Sequence, residues 1–209
     1  MKTITFVALI VAIAGMLSVA CGLTAHEIDS RTIHNYDYVS VGYGHLHDID
    51  DSGVNGHGAV GKFSFEERNF LISVVGEYYW PEDSDFADGD LWSVSPGIGY
   101  VVRLAENHVN IIPRIAVGYT GIDSNFFGDE SDESWFFLPG VSLSYAINNR
   151  FAINGGYTYS YNFDSTGKDH LFSTGAAVAI VDQIDLAVTA SFSNDFGFTG
   201  IVAALEFHY

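Results

Sequence analysis

From residue 36 to the end the chain repeats one unit: a segment of roughly ten residues in which apolar side chains alternate with small or polar ones, followed by a break. Alternation at every second position is the mark of a half-buried β-strand. About ten such segments are read, at 38–46, 58–65, 70–80, 91–103, 109–120, 134–147, 151–162, 170–180, 185–193 and 198–209. The breaks at 66–69, 104–108, 148–150 and 181–184 are tight. Those at 48–55, 81–90, 121–133 and 164–169 are longer, and 194–197 is short. Short and long connections in turn predict an up-and-down antiparallel sheet with turns at one end and loops at the other. An even strand count leaves both chain ends on the turn side; eight strands is the alternative.

The alternation also says which face is which. In segment 91–103, Trp92, Val94, Ile98, Tyr100 and Val102 oppose Ser93, Ser95, Gly97, Gly99 and Arg103. In 109–120, Val109, Ile111, Ile115, Val117 and Tyr119 oppose Asn110, Arg114, Ala116, Gly118 and Thr120. A soluble barrel keeps apolar residues inside and charges outside. Here the charges share the small, polar face. That face is expected to line a lumen, with the apolar rows meeting lipid. Pro96, Pro113 and Pro139 fall on the apolar face of neighbouring segments. Each lacks a ladder donor, so a bulge or a lost hydrogen bond is expected there.

Aromatic residues on the apolar face gather at segment ends. Tyr43, Tyr78, Trp80, Trp92, Tyr119, Trp135, Tyr159 and Tyr161 stand toward the long loops. Phe65, Phe70, Tyr100, Tyr145, Phe151 and Tyr209 stand toward the tight turns. The β-propensity of aromatics does not explain grouping by height. Two girdles at the headgroup levels of a bilayer do.

Composition agrees. Of the 209 residues only 16% are charged, against about a quarter in soluble domains, and 15% are aromatic. Past the first two dozen residues no apolar run reaches the roughly 20 that a spanning helix needs, so a membrane-embedded chain must be a closed barrel. A net charge of -18, from 26 acids and 8 bases, excludes nucleic acid as a partner. The start reads as an export signal over 1–25: Lys2, the apolar run 4–19, then small residues, with cleavage after Ala20 or Ala25. Residues 26–35 would be a short periplasmic segment and 36–209 the barrel. The lone Cys21 allows no internal disulfide. It stands where a lipoprotein carries its acylated cysteine, but Ser18 replaces the usual large aliphatic three residues before it.

The chain closes with Ile201, Ala203, Leu205, Phe207 and Tyr209 on alternate positions. With the signal and the strand rhythm, this resembles the small bacterial outer-membrane β-barrels, such as the opacity proteins and the membrane domain of outer membrane protein A. The resemblance is one of pattern and assigns no subfamily. It implies outer-membrane lipid and lipopolysaccharide as surroundings, a monomeric barrel, and recognition of Leu205, Phe207 and Tyr209 by the barrel assembly machinery.

Candidate chemistry lies in three places. Lys62, Glu77, Arg103, Arg114, Glu206 and His208 all fall on the lumen face, where charges must pair or keep water. Glu77 and Arg114, at similar depth, are expected to form a central pair. The long breaks are acidic: Asp83, Asp85, Asp88 and Asp90 in one, Asp123, Asp129, Glu130, Asp132 and Glu133 in another. Asp48, Asp50 and Ser52, with Gly53, match the start of a calcium loop, but Ala59 replaces its closing glutamate. No resident cofactor is expected, and calcium at the outer loops is the ion those carboxylates would suit. An enzyme is not expected. His170 and Ser173 resemble the pair of lipid A deacylases, but a gap of three puts them on opposite faces. His45, His47, Asp48 and Asp50, with Asp88 or Asp90, resemble the outer-membrane aspartyl proteases without any demonstrable activating geometry. The expected role is display of acidic loops by a rigid barrel. A narrow pore is the alternative, since a barrel of this size is largely filled by side chains, and a barrel-mouth hydrolase is the second.

Overall fold

The computed structural model describes residues 35–49, 54–81, 89–106, 108–124, 131–163, 167–194 and 199–209. They form strands β1 (Tyr38–Ile49), β2 (Val54–Glu67), β3 (Phe70–Pro81), β4 (Gly89–Tyr100), β5 (Val102–Leu104), β6 (Val109–Ser124), β7 (Ser131–Asn148), β8 (Phe151–Asn162), β9 (Lys168–Val181), β10 (Ile184–Ser193) and β11 (Thr199–His208). All neighbours are antiparallel. β11 pairs with β1 and both β4 and β5 pair with β6, so the sheet closes on itself. β4 and β5 are two parts of one barrel strand interrupted at Val101, which makes this a ten-stranded, closed, up-and-down barrel.

Every second residue points outward, and the outward rows are the apolar ones. Val41, Phe70, Ile72, Val94, Ile98, Ile115, Val117, Leu143, Ile153, Val188, Ile201 and Leu205 are all exposed. Hydrocarbon is the solvent that accepts such a surface, and only ladder closure satisfies the backbone within it. The tight turns lie at one end. The turn between β2 and β3 is Arg68–Asn69, with φ of 50° and 71°. Positive φ at both central residues is the hairpin geometry that matches strand twist.

The prolines interrupt pairing without shifting it. The β4–β6 register breaks off after Val94↔Tyr119 and resumes unchanged at Gly97↔Ala116, skipping Pro96. It lapses again between Gly99↔Arg114 and Val102↔Ile111, opposite Pro113. The β7–β8 register skips Pro139 between Phe137↔Tyr161 and Gly140↔Thr158. Of the two outcomes expected, lost pairing is the one found, and no bulge occurs at these sites. Beside Pro96 the outer wall carries an apolar groove of about 280 Å³, lined by Ile72, Val74, Ile98, Ile115, Val117 and Phe137.

Several strands outrun their expected limits. β2 begins at Val54, β6 reaches Ser124 and β7 begins at Ser131. Beyond the membrane both faces of a hairpin are wet, so apolar alternation fades although the ladder continues, as Ile122↔Asp132 and Asp123↔Ser131 show. Asp90, Asp123, Asp132 and Glu133 therefore belong to strands, not to loops as expected. Asp83, Asp85, Asp88, Asp129 and Glu130 lie outside the described residues. The calcium loop is likewise corrected. β1 includes Asp48 and β2 takes the chain from Val54, which leaves no room for a continuous loop of roughly twelve residues. Asp50 and Ser52 lie outside the described residues, as do Cys21 and the expected signal segment.

Candidate functional site: the barrel lumen

At the turn end the lumen has a floor to which every barrel strand contributes a buried side chain. Going round, these are Tyr38, Ser64, Leu71, Val101, Asn110 with Ile112, Ser144 with Ala146, Ala152, Ala177, Asp185 and His208. Leu71, Val101 and Ile112 form its apolar patch, and Tyr36, from the segment before β1, packs against them. The Tyr36 hydroxyl accepts a hydrogen bond from Asn110 Nδ2 at 2.9 Å. Burial holds the Tyr36 hydroxyl above the usual phenol range, so it stays neutral. Asp37 caps the same end, its Oδ1 accepting the Glu66 N–H at 2.6 Å.

Arg103 ties the floor on one side. Its Nη2 donates to both Glu66 oxygens, at 2.7 and 2.6 Å, and its Nη1 donates to Asn69 Oδ1. On the other side His208 Nε2 stands 3.0 Å from Asp185 Oδ2. Above the floor the Lys62 ammonium donates to the Tyr38 hydroxyl and sits 4.9 Å from the centre of that ring.

Glu77 and Arg114 do not pair. Register sets Glu77 opposite Ser93 and Ser93 opposite Thr120, six positions along β6 from Arg114. Glu77 accepts from Ser93 Oγ at 3.3 Å, and Arg114 donates to Thr158 Oγ1 at 3.0 Å. Depth read from position along a segment ignores the shift that strand tilt adds at every ladder step. Lys62, Arg103, Arg114 and His208 lie on the lumen face in separate contacts, and Glu206 shares the neighbourhood of His208.

Sequence reasoning passed over Tyr36, Tyr38 and Tyr79. Tyr38 and Tyr79 are buried aromatics on the small-residue face. The signal was there: a large ring on the face that carries Ser40 and Gly42 in β1 and Ser73 and Glu77 in β3. Gly44 makes room for Tyr79, since a Cβ there would stand 2.8 Å from the phenol oxygen.

The outer wall carries the aromatic girdles. Tyr43, His57, Trp80 and Tyr78 make ring contacts in sequence, with centroids 6.1, 5.5 and 5.3 Å apart. Trp92, Tyr119 and Trp135 continue the series at 5.3 and 4.6 Å. The Tyr78 and Tyr119 hydroxyls donate to Asp90 and Glu133. At the turn end Phe70 meets Tyr100, and Phe63, not singled out in the sequence, stacks on Tyr209. Outward register also holds for Tyr159, Tyr161, Phe65, Tyr145 and Phe151. His170 and Ser173 lie on opposite faces, and Asp50 and Asp88 of the second candidate set lie outside the described residues. Asp169 is buried in the lumen and accepts from Ser193, whereas His170 meets Tyr157 on the other face. His47 contacts Asn55 at 2.6 Å.

An antiparallel barrel with apolar outer rows, interfacial aromatics and charges turned inward is a transmembrane barrel of the bacterial outer membrane. The chain matches the outer membrane protein beta-barrel domain over residues 12–179, most of its length, and belongs to that family. No curated protein matches it by sequence. Among solved structures it is similar to the translocator domain of the autotransporter NalP from Neisseria meningitidis, at 11% identity and TM-score 0.53, covering 95% of this chain and 97% of that one. It is also similar to Neisserial surface protein A, at 16% identity and TM-score 0.43 (82% and 96% covered). The attachment invasion locus protein Ail of Yersinia pestis follows at 19% and 0.42 (81% and 97%). At these identities the likeness is one of fold.

Proposed function

We propose that this outer-membrane barrel is a closed, non-enzymatic scaffold that displays acidic strand extensions and loops at the cell surface, where they contact other surfaces or molecules. The observation that carries this reading is the floor: all ten barrel strands bury a lumen side chain at the turn end, and Tyr36 fills the gap among Leu71, Val101 and Ile112. A porin needs a continuous water path. The rigid ladder and the β6–β7 extension, with Asp123, Asp132 and Glu133 on its strands, suit display. In this reading residues 1–25 are the export signal, Leu205, Phe207 and Tyr209 address the assembly machinery, lipopolysaccharide surrounds the upper girdle, and the barrel works as a monomer. Calcium at the acidic outer loops would screen their mutual repulsion.

The test is single-channel recording of the purified barrel in planar bilayers. Scaffolding predicts a silent membrane, and stable conductance steps from the wild-type protein overturn it. A narrow pore is the second reading, favoured by Lys62 and Arg114, both half-buried above the floor. It requires steps that change size in Arg114→Ala.

A further inference from the structure

Asp185, Glu206 and His208 converge at the edge of the floor, on the lumen face of β10 and β11. Asp185 is paired directly with Glu206 across the ladder. His208 follows Glu206 on the same face by the two-residue strand period. One donor atom from each residue lies within 4.8 Å of the other two. His208 and Asp185 are nearly sealed, with side chains 6% and 2% exposed.

A structural hydrogen bond between His208 and Asp185 leaves Glu206 unexplained. Glu206, turned toward the same point, accepts no hydrogen bond from a described residue. Lys62, on the same face across β1, gives a hydrogen bond to the Tyr38 hydroxyl. Two carboxylates and an imidazole thus share a small volume, in a medium where uncompensated charge is costly.

We propose that Asp185, Glu206 and His208 form a site for a divalent first-row transition cation of the zinc class. An imidazole with two carboxylates suits such ions, whereas calcium and magnesium favour all-oxygen shells. Zinc lies about 2.0–2.2 Å from nitrogen and oxygen donors, which puts adjacent donors roughly 3.0–3.5 Å apart. The 3.0 Å between His208 Nε2 and Asp185 Oδ2 has that spacing already, and rotation of Glu206 brings in the third donor. Glu206 is only half-buried, so the ion enters from the lumen and keeps water in an open position. The bound ion cross-links β10 to β11 beside the seam where Tyr38 pairs with His208 and the barrel closes.

The test is titration of the full barrel in detergent with Co²⁺, in excess Ca²⁺ to occupy the acidic outer loops, followed by displacement with Zn²⁺. The wild-type protein should take one equivalent of Co²⁺ with visible ligand-field bands that Zn²⁺ abolishes. Glu206→Gln, at a half-buried position, should weaken binding by about tenfold or more. Zn²⁺ should raise the urea midpoint of wild type more than that of Glu206→Gln. Equal titrations for the two proteins, or no bands in wild type, overturn the site.

Discussion

Arg103 grips both oxygens of Glu66, although the two residues stand on strands separated by the whole of β3. The bidentate contact spans the β2–β3 turn and is held flat by Asn69, whose Oδ1 takes the other arm of the guanidinium. Both side chains are largely buried, at 29% and 13% exposed. Charge-assisted hydrogen bonds of this kind contribute about 1.5–3 kcal/mol. Arg103→Ala should lower the unfolding free energy by about that amount in urea titrations of the reconstituted barrel. Arg103→Lys should recover only a small part, because an ammonium cannot reproduce the fork.

Tyr36 reaches the floor from the segment before β1. Its removal strips cover from Leu71, Val101 and Ile112 and leaves Asn110 Nδ2 without its acceptor. Tyr36→Ala is expected to leave the ladder intact and to give brief conductance events where wild type is silent. Tyr36→Phe keeps the ring, should stay silent, and should cost about 1 kcal/mol in unfolding for the lost hydrogen bond.

Gly58 faces the lumen where β2 passes β3. A Cβ there would lie 2.0 Å from the Tyr78 carbonyl oxygen and 2.7 Å from the Tyr79 Cα, both backbone atoms that cannot step aside. Gly58→Ala should destabilise the barrel by about 1–3 kcal/mol or prevent assembly. Gly76→Ala is the control, since a Cβ there comes no nearer than 4.0 Å to its neighbour, the Ser93 carbonyl oxygen. Heat-modified mobility on gels separates the two.

Asp37 gives a pH dependence. Burial raises its carboxyl above the usual range, with Glu66 and Glu67 adding to the effect and the Glu66 N–H opposing it. A carboxyl that binds its proton more tightly folded than unfolded favours the fold at low pH. That contribution is complete below the unfolded carboxyl value and is lost as pH rises through the folded one. Unfolding midpoints measured from acid to neutral should therefore fall less steeply in Asp37→Asn than in wild type.

Strand identity and facing were legible in the sequence because one physical condition, lipid outside and side chains inside, acts on every second residue from Val39 to Phe207. Expected and observed limits of β8 coincide, and those of β10 differ by one residue. Where that condition ends, legibility ends. The acidic residues above the membrane looked like loops because neither face there must be apolar. Individual lumen contacts were not legible, because they depend on stagger between strands. Glu77 meets Ser93 and Arg114 meets Thr158 through register alone. Tyr36 escaped notice because its role is to fill a gap made by residues from β3, β5's junction with β4, and β6.

The account rests on which way the alternate residues of each strand point, and Ile115 and Ala116 test that within one peptide unit. Each is replaced in turn by cysteine in a Cys21→Ser background, spin-labelled and reconstituted in lipid, and its relaxation is measured with oxygen and with a water-soluble nickel complex. The label at 115 should relax with oxygen from the bilayer and ignore nickel, and the label at 116 should lose the oxygen response. The reverse pattern, or two labels that behave alike, would contradict the barrel's orientation and the roles assigned to its lumen.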